Sequence, residues 1–218
     1  MTRSGDYAHT ANISTPNNLI TLRNLHLATG AKKTMEVGFG CAGSGLVFMQ
    51  THKDLGTLPQ RQHLAIDPYQ RAPWLDQIGL VAVEHAGLTE YLDLREEVSS
   101  LVLPNLVMAK ARYDLAYIDG SHLFEDVFVD FYFVLRLLAD QGIVLFDDCA
   151  SPHISKVLRF IRANCASSLR EFDLTPYRPA GGKSLKYRVA RLLGRTQMVA
   201  FQKIGEPDRA WDSPFRNF

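Results

Sequence analysis

Cysteine is scarce in this chain. Cys41, Cys149 and Cys165 are an odd number, far apart, and fit no zinc-ligand spacing. Neither a disulfide framework nor a zinc module is therefore expected, and a reducing cytoplasm is the expected compartment. An excess of charge of one sign is also lacking: Lys+Arg 24 against Asp+Glu 23 leaves a formal net charge of +1. That balance supplies no general field for binding nucleic acid or an anionic membrane, and neither is expected as a partner. Long hydrophobic runs are missing, since none approaches the roughly 18 consecutive apolar residues of a membrane span. The opening stretch, MTRSGDYAHTANISTPNN, has no apolar centre and does not read as a secretory leader.

What is present suits one folded domain. The 218 residues are 46% hydrophobic and 22% charged, enough to bury a full core and too apolar for global disorder. Residues 1–218 read as a single domain, with an arm and helix over 1–30 and a loose tail over 204–218. After a patternless stretch to residue 15, Pro16 opens a helix closed by Gly30. Thr34 to Gly40 reads as a buried strand entering a glycine loop, and a helix follows near Ser44–Thr51. His63–Asp67 is a second strand, Leu80–Val83 a third, and Thr89–Glu97 a helix. Tyr113–Asp119 is a fourth strand. Phe124–Ala139 is a helix, apolar on two sides, which suggests burial on both or a homodimer face. Ile143–Phe146 is a fifth strand running into Asp147-Asp148, with a helix from about Ile154 to Asn164. Strands near Leu169–Leu174 and Met198–Lys203 have no convincing helix between them. Alternation of this kind predicts an α/β fold: a Rossmann-like, doubly wound, mostly parallel seven-stranded sheet with an antiparallel pair at its C-terminal edge.

Ligands of such sheets sit beyond the carboxyl ends of the strands. At the first end stands Gly38-Phe-Gly40-Cys-Ala-Gly43, a GxGxxG between strand and helix. Glycines permit a tight turn and close approach of a ligand, and the helix start offers free N–H donors. Asp67, ending the next strand, is placed to accept from two ribose hydroxyls. Together they point to a nucleoside-containing cofactor; the plain alternative is a glycine turn beside a solvent-facing acid. Glu36 chooses between cofactors. An acid two residues before the first glycine is an awkward burial in a dinucleotide fold, but it can serve a cationic ligand such as the amino and sulfonium region of S-adenosylmethionine. Its bland counterpart is a carboxylate paired with a buried lysine or arginine.

The third feature is Asp119-Gly-Ser-His122 followed, one helix and one strand later, by Asp147-Asp148. Adjacent parallel strand ends bring these acids together, and carboxylates so placed repel unless they share a cation. Oxygen ligands favour Mg²⁺, with Mn²⁺ or Ca²⁺ as alternatives. Histidine titrates near neutrality, so His122 suits removal of a proton from a hydroxyl. Taken singly, either aspartate could cap the next helix and His122 could be a turn residue.

With these residues in view, the chain resembles the class I S-adenosylmethionine-dependent methyltransferases over roughly residues 30–205. The resemblance rests on Glu36-Val-Gly-Phe-Gly-Cys-Ala-Gly43-Ser44, on Asp67, and on Tyr113-Asp-Leu-Ala-Tyr-Ile-Asp119. IDGSH with FDD is similar to the metal-dependent O-methyltransferases of catechols and natural-product sugars. The resemblance implies that Asp119, Asp147 and Asp148 hold the metal. It places Glu36, Gly38, Gly40 and Gly43 near the methionine end of the cofactor, Ser44 near its carboxylate and Asp67 on the ribose. His122 stands where the catechol type has lysine, which points towards the sugar-modifying relatives. Gly87 and Thr89 fall where the family contacts adenine. The implied activity is methyl transfer to a hydroxyl of a small molecule. Alternatives are a metal-independent methyltransferase, a non-catalytic S-adenosylmethionine-binding protein, and an NAD-dependent oxidoreductase.

Outside these motifs, Arg178 to Arg195 carries six basic residues and no acid. Its apolar positions outline a short basic amphipathic helix, more often a solvated face than a contact for phosphate or lipid. Tyr69, Trp74 and Trp211 are candidates for an aromatic pocket, with Tyr69 the best placed. Cys41 and Cys149 read as small buried thiols.

Overall fold

The computed structural model describes residues 14–179, 196–207 and 210–218. Residues 180–195 of the expected basic helix (Arg178 to Arg195) and the first 13 residues of the arm lie outside them. Among the described residues, six α-helices and seven strands follow in the order α1 (Pro16–Thr29), β1 (Thr34–Val37), α2 (Gly43–Asp54), β2 (His63–Ile66), α3 (Ile78–His85), β3 (Leu92–Arg95), α4 (Ser99–Met108), β4 (Tyr113–Ile118), α5 (Phe124–Leu137), β5 (Leu138–Phe146), α6 (Pro152–Asn164), β6 (Leu169–Phe172) and β7 (Val199–Lys203). The strands form one sheet, ordered β3-β2-β1-β4-β5-β7-β6. The first five run parallel, and β7 lies antiparallel between β5 and β6. This is the expected architecture, edge pair included.

Strand periodicity divides the core into two layers. Met35, Val37, Leu64, Ile66, Ala116, Ile118, Val144 and Phe146 pack with α4, α5 and α6. Leu115, Tyr117, Ile143 and Leu145 point the other way, onto Leu22 and Leu25 of α1 and Phe48 of α2. Parallel strands buried on both faces explain why β1, β2 and most of β4 and β5 are continuously apolar or polar-but-buried. On its first apolar side α5 packs on α6, Phe128 meeting Phe160 with ring centroids 4.9 Å apart; on the second, Phe133 packs against the core and Tyr132 is exposed.

The expected third strand and the helix after it are exchanged. Leu80–Val83 lies inside α3, and Leu92–Arg95 is the edge strand paired to β2. The β-branched run coils because its burial is helical, at Ile78, Gly79 and Val83. Gly79 lies so close to the glycine loop that a Cβ there would stand 2.7 Å from the carbonyl oxygen of Gly40. Gly87 and Thr89 consequently precede β3, away from its carboxyl end. The α4 helix carries an internal Pro104 and had no clear sequence signal. The tail is not loose where described: Asn164 of α6 donates to the Arg216 carbonyl at 2.8 Å and accepts from its N–H at 2.9 Å, and the Phe218 ring lies 5.3 Å from Phe160.

Candidate active site

A cleft of about 920 Å³ opens along the carboxyl ends of β1, β2, β4 and β5. Its floor is the glycine loop. Gly38 adopts φ +92°, and a Cβ there would stand 2.3 Å from the carbonyl oxygen of Asp119, so only glycine lets the ends of β1 and β4 meet. Asp67 holds the loop from below: one carboxylate oxygen accepts from the N–H groups of Phe39 (3.1 Å) and Gly40 (2.7 Å), the other from Tyr69 N–H at 2.7 Å. Gly38, Gly40, Gly43, Ser44 and Asp67 all line the cleft, together with Tyr69 and Trp74. Trp211 is 98% exposed, and the three cysteines are buried free thiols.

Glu36 sits one layer deeper than the resemblance implies. Fully buried and absent from the cleft wall, it accepts a 2.5 Å bond from the hydroxyl of Ser44, which does line it. Its other oxygen faces His63 Nε2 at 3.1 Å, and His63 Nδ1 and His52 Nε2 both meet the hydroxyl of Thr34. Its partner is thus a histidine, with no buried lysine or arginine involved. Burial pushes Glu36 up to about 8 and His63 and His52 down to about 3. Burial thus favours the neutral form of both Glu36 and His63, and their contact is a hydrogen bond between neutral groups, although its geometry is that of an ion pair.

The acidic cluster forms where β4 and β5 end side by side, Ile118 level with Phe146. One ligand atom each from Asp119, His122 and Asp148 lies within 4.8 Å of the others. His122 Nε2 stands 2.9 Å from Asp148, whose other oxygen takes the side-chain amide of Gln197. Asp148 itself has φ +49°, which turns its carboxylate into the cleft, and the cap of α6 is Ser151. Asp147 takes another course. Asn18 of α1 donates to both of its oxygens at 2.8 and 3.1 Å, Asp148 N–H donates at 2.8 Å, and the Tyr117 hydroxyl donates as well. A carboxylate offers about four acceptor sites, so Asp147 has none free for a cation in this arrangement. Ser14 donates to Asp119 at 2.9 Å. Burial, and next the charge of Asp147, push the Asp119 carboxyl up to about 8.

The donors fit a divalent cation. Oxygens of Asp119 and Asp148 converge beside the His122 imidazole, and no lysine or arginine among the described residues lines the cleft to neutralise them. Asn18, Ser14, Tyr117 and Gln197 were not anticipated. Ser14 lies just before α1 and Asn18 in its first turn, more than 100 residues from the acids they bind; the sequence marks the arm around Asn12–Leu27 as a cover for the cofactor or a packing helix, but gives no sign of these two contacts.

Residues 35–149 match the family model described as a methyltransferase domain. No curated protein matches the sequence. Among solved structures, the fold is similar to an O-methyltransferase from Bacillus cereus in complex with S-adenosylhomocysteine: TM-score 0.67, 14% identity, 89% of this chain and 84% of that one. It is similar too to the O-methyltransferase TomG of Streptomyces achromogenes, involved in tomaymycin synthesis and solved with S-adenosylmethionine, with TM-score 0.63 and 15% identity over 75% of this chain and 74% of that one.

Proposed function

The chain belongs to the methyltransferase-domain family, and on that premise we propose that it is an S-adenosylmethionine-dependent O-methyltransferase acting on a hydroxyl of a small molecule, with a divalent cation at its acidic cluster. The observation that carries this reading is the single cleft in which the glycine loop, Ser44 and Asp67 lie beside Asp119, His122 and Asp148. Both similar structures with bound ligand hold this cofactor or its demethylated product, which supports the same occupant here.

The cofactor supplies a methyl group on a good leaving group, so the protein has only to orient and deprotonate the acceptor. Gly38, Gly40 and Gly43 let it approach the backbone, with free N–H groups at the start of α2 facing it. Ser44, whose hydroxyl is held by Glu36 from beneath, would meet its carboxylate with the free backbone N–H of the first turn of α2. Asp67 keeps one acceptor site for the ribose after fixing the loop. A cation, Mg²⁺ or Mn²⁺, would lower the pKa of the acceptor hydroxyl and fix its position. Asp119 and Asp148 would hold it. Asp147, saturated by Asn18 and Tyr117, orients the Asp148 backbone. His122 takes the proton from the acceptor, with Asp148 orienting its ring.

The 2.9 Å His122–Asp148 contact also favours a second reading, in which these two residues form a metal-independent base and no cation enters. Transfer of labelled methyl from S-adenosylmethionine to a panel of catechols and sugars, with chelator and then with Mg²⁺ or Mn²⁺ restored, separates the two. Loss on chelation with recovery on Mg²⁺ or Mn²⁺ supports the cation; turnover indifferent to chelator removes it.

A further inference from the structure

Gln70 does not line the cleft, yet its fully buried side chain packs against the back of the glycine loop. Its Nε2 donates to the Gly40 carbonyl at 2.7 Å. Its Oε1 has no hydrogen-bond partner among the described residues. A buried amide with its oxygen unsatisfied costs stability that a methionine or leucine of similar bulk would not. The turn that follows adds a second cost. Asp76 and Gln77 are consecutive non-glycine residues with φ +42° and +60°, a left-handed backbone that L side chains resist. That turn brings the Gln77 N–H onto the Gln70 carbonyl at 2.7 Å. What both costs deliver is one donor on one carbonyl.

Gly40 is where such a donor matters. It lines the cleft with φ +47°, and a glycine left to itself samples many other conformations. Asp67 takes the Gly40 N–H at 2.7 Å, so with Gln70 on its carbonyl this residue is held from both sides. On the proposed cofactor reading, which sets Gly40 beside the methionine end, we propose that Gln70 is a positioning residue for cofactor binding. Its side-chain amide fixes the glycine loop in the shape that receives the amino-acid part, which lowers the ordering cost of binding. The nucleoside half depends on it less. Asp67 keeps its place through the Tyr69 N–H at 2.7 Å and through its own N–H on the Arg95 carbonyl at 3.0 Å.

Calorimetric titration of wild-type protein and Gln70→Met with S-adenosylhomocysteine tests this, beside thermal melts without ligand. Methionine fills the same space and donates nothing. S-adenosylhomocysteine should bind the variant about tenfold more weakly, the worth of one hydrogen bond. The melting temperature should stay close to wild type, because the stranded oxygen leaves together with the donor. 5′-Methylthioadenosine keeps the nucleoside and lacks the amino-acid part, and it should bind both proteins alike. Gln70→Leu repeats the comparison with a smaller side chain, should methionine overpack the site. Unchanged affinity for S-adenosylhomocysteine in both variants overturns the assignment and leaves the methyltransferase reading standing. So does an equal loss for the two ligands, or a loss of affinity that only follows a loss of folding, since Gln70 is then a purely structural residue. Wild-type protein that fails to bind S-adenosylhomocysteine overturns both.

Discussion

His122 Nε2 lies 2.9 Å from a carboxylate oxygen of Asp148, on the open side of the cleft, with the imidazole 57% and the carboxylate 35% exposed. The proposed function makes this pair a base with its orienting acid. His122→Ala should lower the rate of methyl transfer by about 10²–10⁴-fold, with binding of S-adenosylhomocysteine unchanged because His122 is not assigned to the cofactor. A normal rate in the variant removes the role.

On the proposed reading Asp147 is a positioning residue, its oxygens taken by Asn18, Tyr117 and the Asp148 N–H. Asp147→Ala should abolish cation-dependent turnover, because it frees Tyr117 and Asn18 and releases the Asp148 backbone, while calorimetry shows near-wild-type cofactor affinity. Asn18→Ala should cost about 1–3 kcal/mol in a urea denaturation, the usual penalty for stranding a buried acceptor. An Asn18→Ala protein as stable as wild type would mean that the contact between α1 and Asp147 contributes little.

The glycine loop admits a sharper test. Gly38→Ala combines a left-handed backbone with a Cβ 2.3 Å from a carbonyl oxygen, and should destabilise by roughly 3 kcal/mol. Since the loop must shift to relieve the clash, S-adenosylhomocysteine binding should be lost as well. Binding and stability like wild type would contradict the close approach of β1 and β4.

Stability should depend on pH in a defined direction. Glu36 and Asp119, both raised to about 8, keep protons that the unfolded chain releases in the usual carboxylate range. Folding therefore takes up protons between that range and about pH 8, and stability falls as pH rises through it. The buried His52 and His63, lowered to about 3, and His26, lowered to about 4, act oppositely below about pH 6.5, where the unfolded chain binds protons that they do not. Thermal melts should thus peak near about pH 6 and decline towards pH 8.5, and Glu36→Gln should flatten the decline. Stability that climbs from pH 6.5 to 8.5 contradicts these burial effects.

The layered sheet was readable because buried parallel strands and amphipathic helices write different periods. The error at Leu80–Val83 and Leu92–Arg95 shows the limit of that code. A short run of Leu and Val is compatible with either state, and the close packing of Gly79 on Gly40 made the choice. At the site, Asp67, Asp119 and Asp148 were legible as acids at strand ends, since any open sheet exposes those positions. That Glu36 lies beneath Ser44, and that Asp147 is saturated, depends on rotamers and on α1 crossing the sheet.

The most direct measurement is a calorimetric titration of chelator-treated protein with S-adenosylhomocysteine, with NAD as the competitor for the same glycine loop, repeated with Mg²⁺ and Mn²⁺ added. The account predicts saturable binding of S-adenosylhomocysteine, no binding of NAD, and a separate heat for the cation that disappears in Asp119→Asn. Binding of NAD alone would contradict it.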